Sequence, residues 1–254
     1  MLEIRDLHVK FHTRQREAVA GVSLTIHNGE ILGLVGESGT GKSTLIKVLT
    51  GVHAKDGGKI AMEGRPISPS SPLEAMKCGI STVYQEVNLC PNLSVAENIF
   101  IGREPKKAGG IDWKTINRRA AELLTTLNLN IDVTKTLGSY SVAVQQMIAI
   151  ARAVDVDAKV LILDEPTSSL DEEETQRLFA VVRKLKAQGL GVIFVSHFLD
   201  QIYELCDRIT VLRNGELVGA YAVAELPRVE LISKMIGKEL GDIQSMGKNT
   251  ALCG

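Results

Sequence analysis

The sequence predicts an α/β fold with a mainly parallel sheet, a β-rich N-terminal part and an inserted helical subdomain. Three observations point to it. The apolar runs VLIL (160–163), GVIFV (191–195) and RITVL (208–212) alternate with helical patterns starting at Ser141, Asp171 and Phe198, the rhythm of parallel strands joined by right-handed crossovers. Another apolar run, ILGLV (31–35), feeds a glycine-rich turn that opens into a helical pattern. The opening residues alternate apolar and polar, as a half-buried strand does.

In chain order, Leu2 to Phe11 and Ala18 to His27 read as strands of an N-terminal antiparallel β subdomain, and a turn at Asn28 to Glu30 leads into the buried strand ILGLV. TLIKVLTG is helical and stops at Gly51; a short strand, KIAME, follows between glycine turns. From about Ser94 to Leu129 the pattern is helical, with its clearest apolar stripe in AAELLTTLNL. A helical subdomain is therefore expected at about 86–155. Residues 1–240 are expected to form one unit and 241–254, with little to bury, a loose tail.

At 254 residues and 44% hydrophobic, the chain can bury a large core. A net charge of −1 with scattered basic residues gives no electrostatic footprint for nucleic acid or an anionic membrane. No apolar run approaches the roughly 20 residues that span a bilayer. MLEIRDLHVKF lacks the apolar block and cleavage site of a secretory leader. Cys78, Cys90, Cys206 and Cys253 show neither paired metal spacing nor a disulfide framework. The expectation is a soluble protein of a reducing cytoplasm with no nucleic-acid partner.

The strongest chemical signal is GESGTGKST, comprising Gly36, Glu37, Ser38, Gly39, Thr40, Gly41, Lys42, Ser43 and Thr44. Glycines let backbone N–H groups wrap phosphate oxygens, and a helix N-terminus adds a favourable dipole. Lys42 is placed to reach the β and γ oxygens, and Ser43 to ligate Mg²⁺. With its flanking strand and helix, this spacing predicts a P-loop NTPase core.

VLILDEPTSSLD (160–171) then brings two adjacent carboxylates to a strand end. Asp164 suits Mg²⁺ through a bridging water, and Glu165 suits polarisation of the water that attacks a γ-phosphate. Without the preceding phosphate loop, solvated strand-end acids would be the better reading.

GESGTGKST, YQE, VLILDEPTSSLD and IFVSH, in this order, resemble the ATP-binding cassette of ABC transporters, from about Leu2 to Leu240. The resemblance implies ATP and Mg²⁺ as cofactors and a second cassette as partner, with each ATP held between one phosphate loop and the other cassette's signature helix. It places Phe11 where an aromatic ring stacks on adenine, although a core aromatic fits as well. Gln85 matches the glutamine that senses Mg²⁺ and the attacking water, and His197 the switch histidine at the γ-phosphate. Asp171 matches a residue that crosses between paired cassettes, though Ser169 or Asp171 also suits a helix cap.

The family's signature, LSGGQ or LSVGQ, corresponds here to Tyr140, Ser141, Val142, Ala143 and Val144. Ser141 keeps a hydroxyl that either contacts phosphate or caps the helix. Ala143 adds a methyl where the second glycine permits close approach to the partner's γ-phosphate, and Val144 removes a polar side chain. The two composite sites of a pair are therefore expected to be unequal, which favours a tandem arrangement over a self-sufficient homodimer.

Within the family, STVYQEVNLCPNLSVAENIFIGREP, SYSVAVQQMIAIARA and VSHFLDQIYELCDRITVLRNGELVG are similar to the first cassette of monosaccharide importers. That implies ATP hydrolysis at the cytoplasmic membrane face, permease subunits docked near Val87 to Glu104, and an extracytoplasmic binding protein. The implied cargo is galactofuranose or a similar sugar. Ser94 with Glu97 reads as a capping box in the same stretch. Alternatives are an importer of another small solute and a regulatory, non-transporting ABC protein. A DNA-repair or ribosome role would call for a coiled-coil insertion or basic linker, and neither is present.

Overall fold

The computed structural model describes residues 1–11, 16–86, 88–107 and 109–237. The tail expected at 241–254 and Val87 lie outside them. The first half of the chain forms β1 (Leu2–Val9), β2 (Val19–Ile26), β3 (Ile31–Val35), α1 (Lys42–Leu49), β4 (Gly57–Met62), β5 (Arg65–Ile67), α2 (Pro72–Lys77) and β6 (Ile80–Val83). Next come α3 (Val95–Phe100), β7 (Lys106–Lys107), β8 (Gly110–Ile111), α4 (Trp113–Thr126) and α5 (Val142–Val154). The last part forms β9 (Val160–Asp164), α6 (Glu172–Ala187), β10 (Gly191–Val195), α7 (Leu199–Leu205), β11 (Arg208–Arg213), β12 (Glu216–Ala222) and α8 (Arg228–Ile236).

The central sheet has the order β12-β11-β3-β10-β9-β6 and is parallel except at its β12 edge. Every residue of β3 and β10 is buried, as expected for strands covered on both faces. Successive side chains point to opposite faces, and the core divides accordingly. Val192, Phe194, Leu161 and Leu163 join the helices α3 to α6 on one face. Leu32, Leu34, Ile193 and Ile162 pack against α1 and a separate antiparallel sheet, β2-β1-β4-β5, on the other.

From β3 the chain runs to β6 at the far edge, returns through β9 and β10, and then crosses to β11 on the other side of β3. Strand ends on either side of such a reversal leave a crevice, where ligands of open α/β sheets collect. The ends of β3, β10 and β9 are consecutive there.

Helix starts follow local chemistry. Ser94 and Glu97 form the expected capping box of α3, and Ser141 caps α5 by accepting from Val144 N at 3.4 Å. The stretch 94–129 departs from the continuous helical pattern expected of it. Pro105, which cannot donate to a helix, and the glycines at 109 and 110 turn the chain into the β7–β8 hairpin between α3 and α4. β12 and α8 have no counterpart in the sequence reading.

Phe194 of β10 and Phe179 of α6 meet edge to face at 5.9 Å, both fully buried. Phe194→Ala is expected to lower stability by about 3–5 kcal/mol, read from the urea unfolding midpoint; a loss below about 1 kcal/mol would contradict that packing role.

Candidate nucleotide-binding site

The loop from Gly36 to Gly41 leaves β3 and turns into α1 with no room for a side chain at either of its two end glycines. Gly41 has φ +103° and its Cβ would collide with Ala18 O; a Cβ on Gly36 would collide with Leu212 O. Only glycine meets both demands. The β11–β12 turn braces the loop from outside, as Gly215 N donates to Thr40 O at 3.1 Å and Ala20 N to Gly215 O at 2.8 Å. Inside the loop, Thr40 Oγ1 donates to Glu37 O at 2.8 Å.

No side chain caps the N-terminus of α1, so its first amides face outward with the positive end of the helix dipole. Lys42 Nζ folds back over the loop and donates to Gly36 O at 2.6 Å and Glu37 O at 2.9 Å. Burial pulls the Lys42 ammonium below its ordinary pKa, while the charges of Glu165 and Asp164 oppose that shift. Ser43 is exposed and Thr44 half-buried on the first turn; Glu37, Ser38 and Gly39 are exposed.

Asp164 ends β9 two strands from the loop. Burial, and then the neighbouring charge of Glu165, push its carboxyl above the usual range, with Lys42 pulling the other way. Glu165 itself stands at φ +49°, a left-handed conformation that costs a non-glycine residue on the order of 1–3 kcal/mol. Its N–H donates to Val195 O at 2.9 Å, tying it to the end of β10. His197 follows that strand, and its Nδ1 lies 3.3 Å from Glu165 Oε2.

A second link between these strand ends escaped the sequence reading. Thr167 Oγ1 donates to Gln201 Oε1 at 2.6 Å and Ser196 Oγ to the same oxygen at 3.2 Å. Thr167 and Ser196 are buried, so one glutamine of α7 holds the Glu165 and His197 loops together. The only sequence signal is a glutamine four residues after His197.

The structure thus gathers Lys42, Asp164, Glu165 and His197. The other expected residues stand apart. Phe11 is half-buried with its ring edge on His53 at 5.3 Å; Gln85 is exposed after β6; and Asp171 spends its carboxylate capping α6, accepting from Glu174 N at 2.8 Å. No described hydrogen bond joins Phe11, Gln85, Asp171 or Ser141 to the cluster.

At α5 the expected steric effect of Ala143 is corrected. Its side chain is 3% exposed, so the methyl faces the protein interior and not an approaching phosphate. Val144 also packs partly against the core. The residues that face outward are Ser141 and Val142, the latter 50% exposed. Helix phase decides this: Ala143, Met147 and Ile150 share the buried stripe.

A phosphate loop on a parallel sheet with paired carboxylates at the next strand ends defines a P-loop NTPase fold. The chain belongs to the ABC transporter family, whose model matches residues 19–168. It is 53% identical over 88% of its length to the galactofuranose transporter ATP-binding protein of Escherichia coli strain K12, covering 45% of that protein. It is 50% identical to the fructose import ATP-binding protein of Bifidobacterium longum, over 92% of this chain and 46% of that one. A ribose import ATP-binding protein of Geobacillus kaustophilus is 43% identical over 95% of this chain and 49% of its own. The chain spans about half the length of these curated relatives. Among solved structures, the ADP conformation of an ATP-binding cassette of an ABC transporter superposes with a TM-score of 0.81 at 26% identity, covering 94% of this chain and 99% of the other.

The raised pKa of Asp164 has a consequence for stability. The folded chain holds that proton more tightly than the unfolded chain, so this group's contribution is full below the unfolded pKa and is lost as pH rises through the folded value. Asp164→Asn is therefore expected to raise the Tm of the nucleotide-free chain at neutral pH, with the difference vanishing below about pH 3. An unchanged or lower Tm at neutral pH would contradict this.

Proposed function

We propose that this chain is an ATP-hydrolysing cassette of an ABC importer and energises uptake of a monosaccharide through membrane permease subunits. The convergence of Lys42, Asp164, Glu165 and His197 at the C-terminal ends of β3, β9 and β10 carries the ATP part of this reading. The sugar part is supported by the relatives, which are named as import or transport proteins for galactofuranose, fructose and ribose. The sugar itself is selected elsewhere, by an extracytoplasmic binding protein and the permease.

In the proposed cycle the phosphates of ATP displace Gly36 O and Glu37 O as partners of Lys42, and the amides of Gly39 to Ser43 wrap them. Ser43, Asp164 and Gln85 offer hard oxygen donors, which suit Mg²⁺, and a cation held there would offset the burial and the Glu165 charge that raise the Asp164 carboxyl. When bound, Mg²⁺ neutralises charge on the phosphates. Glu165 orients and polarises the attacking water, held in place by its strained backbone and the nearby imidazole of His197. His197 meets the γ-phosphate, Phe11 stacks on adenine, and Asp171 lies toward a second cassette.

That second cassette is needed to cover the outward face of the site. Ser141 offers a hydroxyl to the partner's nucleotide, and Val144, in place of the signature's glutamine, offers no polar group beside it, which makes the two sites of a pair unequal. Permease docking is assigned to a cavity of about 190 Å³ lined by Tyr84, Asn88, Leu89 and Arg152. The hydroxyls of Ser81 and Thr82 on its wall are buried without a partner. No helix among the described residues is long and apolar enough to cross a membrane, which fits a peripheral subunit at the cytoplasmic face. Residues 1–240 are assigned to one cassette, with its helical subdomain at about 86–155.

Two substitutions separate binding from chemistry. Lys42→Ala is expected to weaken ATP binding by at least tenfold in equilibrium titration, and Glu165→Gln to retain ATP while turnover falls by 100-fold or more. Unchanged affinity in the first, or normal turnover in the second, would remove that residue from its assigned role.

A further inference from the structure

The β7–β8 hairpin and the first turn of α4 carry a cluster that the nucleotide site does not use. Ile111 and Trp113 are 43% and 48% exposed, and Lys106, Lys107 and Lys114 beside them are exposed too. Lys106 stands directly opposite Ile111 across the hairpin, so the two side chains share a face. Among the described residues, none of these lysines makes an ion pair, whereas nearby Arg118 and Arg119 are held by Glu122 and Asp155.

The adjacent acids are hydrogen-bonded locally and stay ionised, Asp112 facing the charges of Lys107 and Lys114 and Glu104 that of Lys106. Asp112 accepts from Thr115 N at 3.1 Å and Thr115 Oγ1 at 2.8 Å, and Glu104 accepts from Gly102 N at 2.9 Å. The chain's net charge of −1 gives no hint of this concentration of cations. An indole and a branched apolar side chain flanked by three exposed ammonium groups suit the headgroup layer of an anionic bilayer, where aromatic rings settle and each lysine adds electrostatic attraction.

The cluster also lies at a suitable end of the molecule. Asp155, which caps the C-terminus of α5, holds Arg103 at 2.6 Å and Arg119 at 3.3 Å, and these two arginines bracket the hairpin in sequence. Arg152, one turn back on α5, lines the cavity assigned to the permease. Asp155 thus ties the chain on both sides of the hairpin to the end of α5 that carries the cavity-lining Arg152.

We propose that Lys106, Lys107, Ile111, Trp113 and Lys114 form a contact with anionic phospholipid headgroups beside the permease. The proposal takes from the importer reading only which end faces the membrane. A weak contact suffices, because docking on a permease already holds the cassette near the lipid at high effective concentration.

Trp113 is the only tryptophan of the chain, so its fluorescence reports this spot alone. The test adds vesicles of phosphatidylcholine, with or without phosphatidylglycerol, to the 254-residue chain without nucleotide or permease. A blue shift and co-sedimentation are expected only with the anionic vesicles, and both should reverse with added salt. Lys106→Gln combined with Lys107→Gln should lower partitioning about tenfold or more, with circular dichroism unchanged. Absence of binding at low salt, equal binding to both vesicle types, or a lipid-independent shift that grows with protein concentration would overturn the proposal. Such a failure would leave the ATP reading untouched, since neither nucleotide nor turnover enters the measurement.

Discussion

Backbone packed directly against backbone at the phosphate loop is the constraint on which the rest of the site depends. Ala18 O and Leu212 O occupy the space that a Cβ on Gly41 or Gly36 would need, so the antiparallel sheet and β11 both press on the loop. This contact fixes the direction in which the first amides of α1 point. It also explains why the N-terminal β subdomain and the β11–β12 turn, which supply no catalytic side chain, are integral to the site. A loop free of those neighbours would keep its glycines and lose its shape.

Charge is managed in a similarly economical way. A half-buried ammonium and a half-buried carboxylate near one another both depart from their ordinary pKa values, because burial disfavours the charged form of each. Lys42 satisfies itself on loop carbonyls, and Glu165 is held at a left-handed φ by a bond to β10. Phosphate and a divalent cation would relieve these tensions together, since each supplies a counter-charge that the protein lacks. Gln201 adds rigidity by joining the two strand-end loops through buried hydroxyls.

Local chemistry was legible in the sequence and long-range packing was not. GESGTGKST and LDEP specify their own geometry within a few residues, and the caps at Ser94 and Ser141 depend only on the next turn. The inward turn of Ala143 depends on which face of α5 meets the core, a choice made by residues distant in sequence. The hairpin at 106–111 is short and polar, so no hydrophobic period announces it; Pro105 and paired glycines were the available signs. Glu165's left-handed backbone and the Gln201 link arise only when β9 and β10 lie side by side.

The proposed phosphate cradle at Gly36–Ser43 would hold ATP through its own backbone amides. Hydrogen exchange of the unmodified chain with and without Mg²⁺ and ATP tests it most directly, because the amides in question are the predicted ligands. Slowed exchange is expected in peptides covering 36–45, with smaller protection around Asp164 and Glu165. ATP binding that leaves the 36–45 peptide unprotected, or no binding at all, would contradict it.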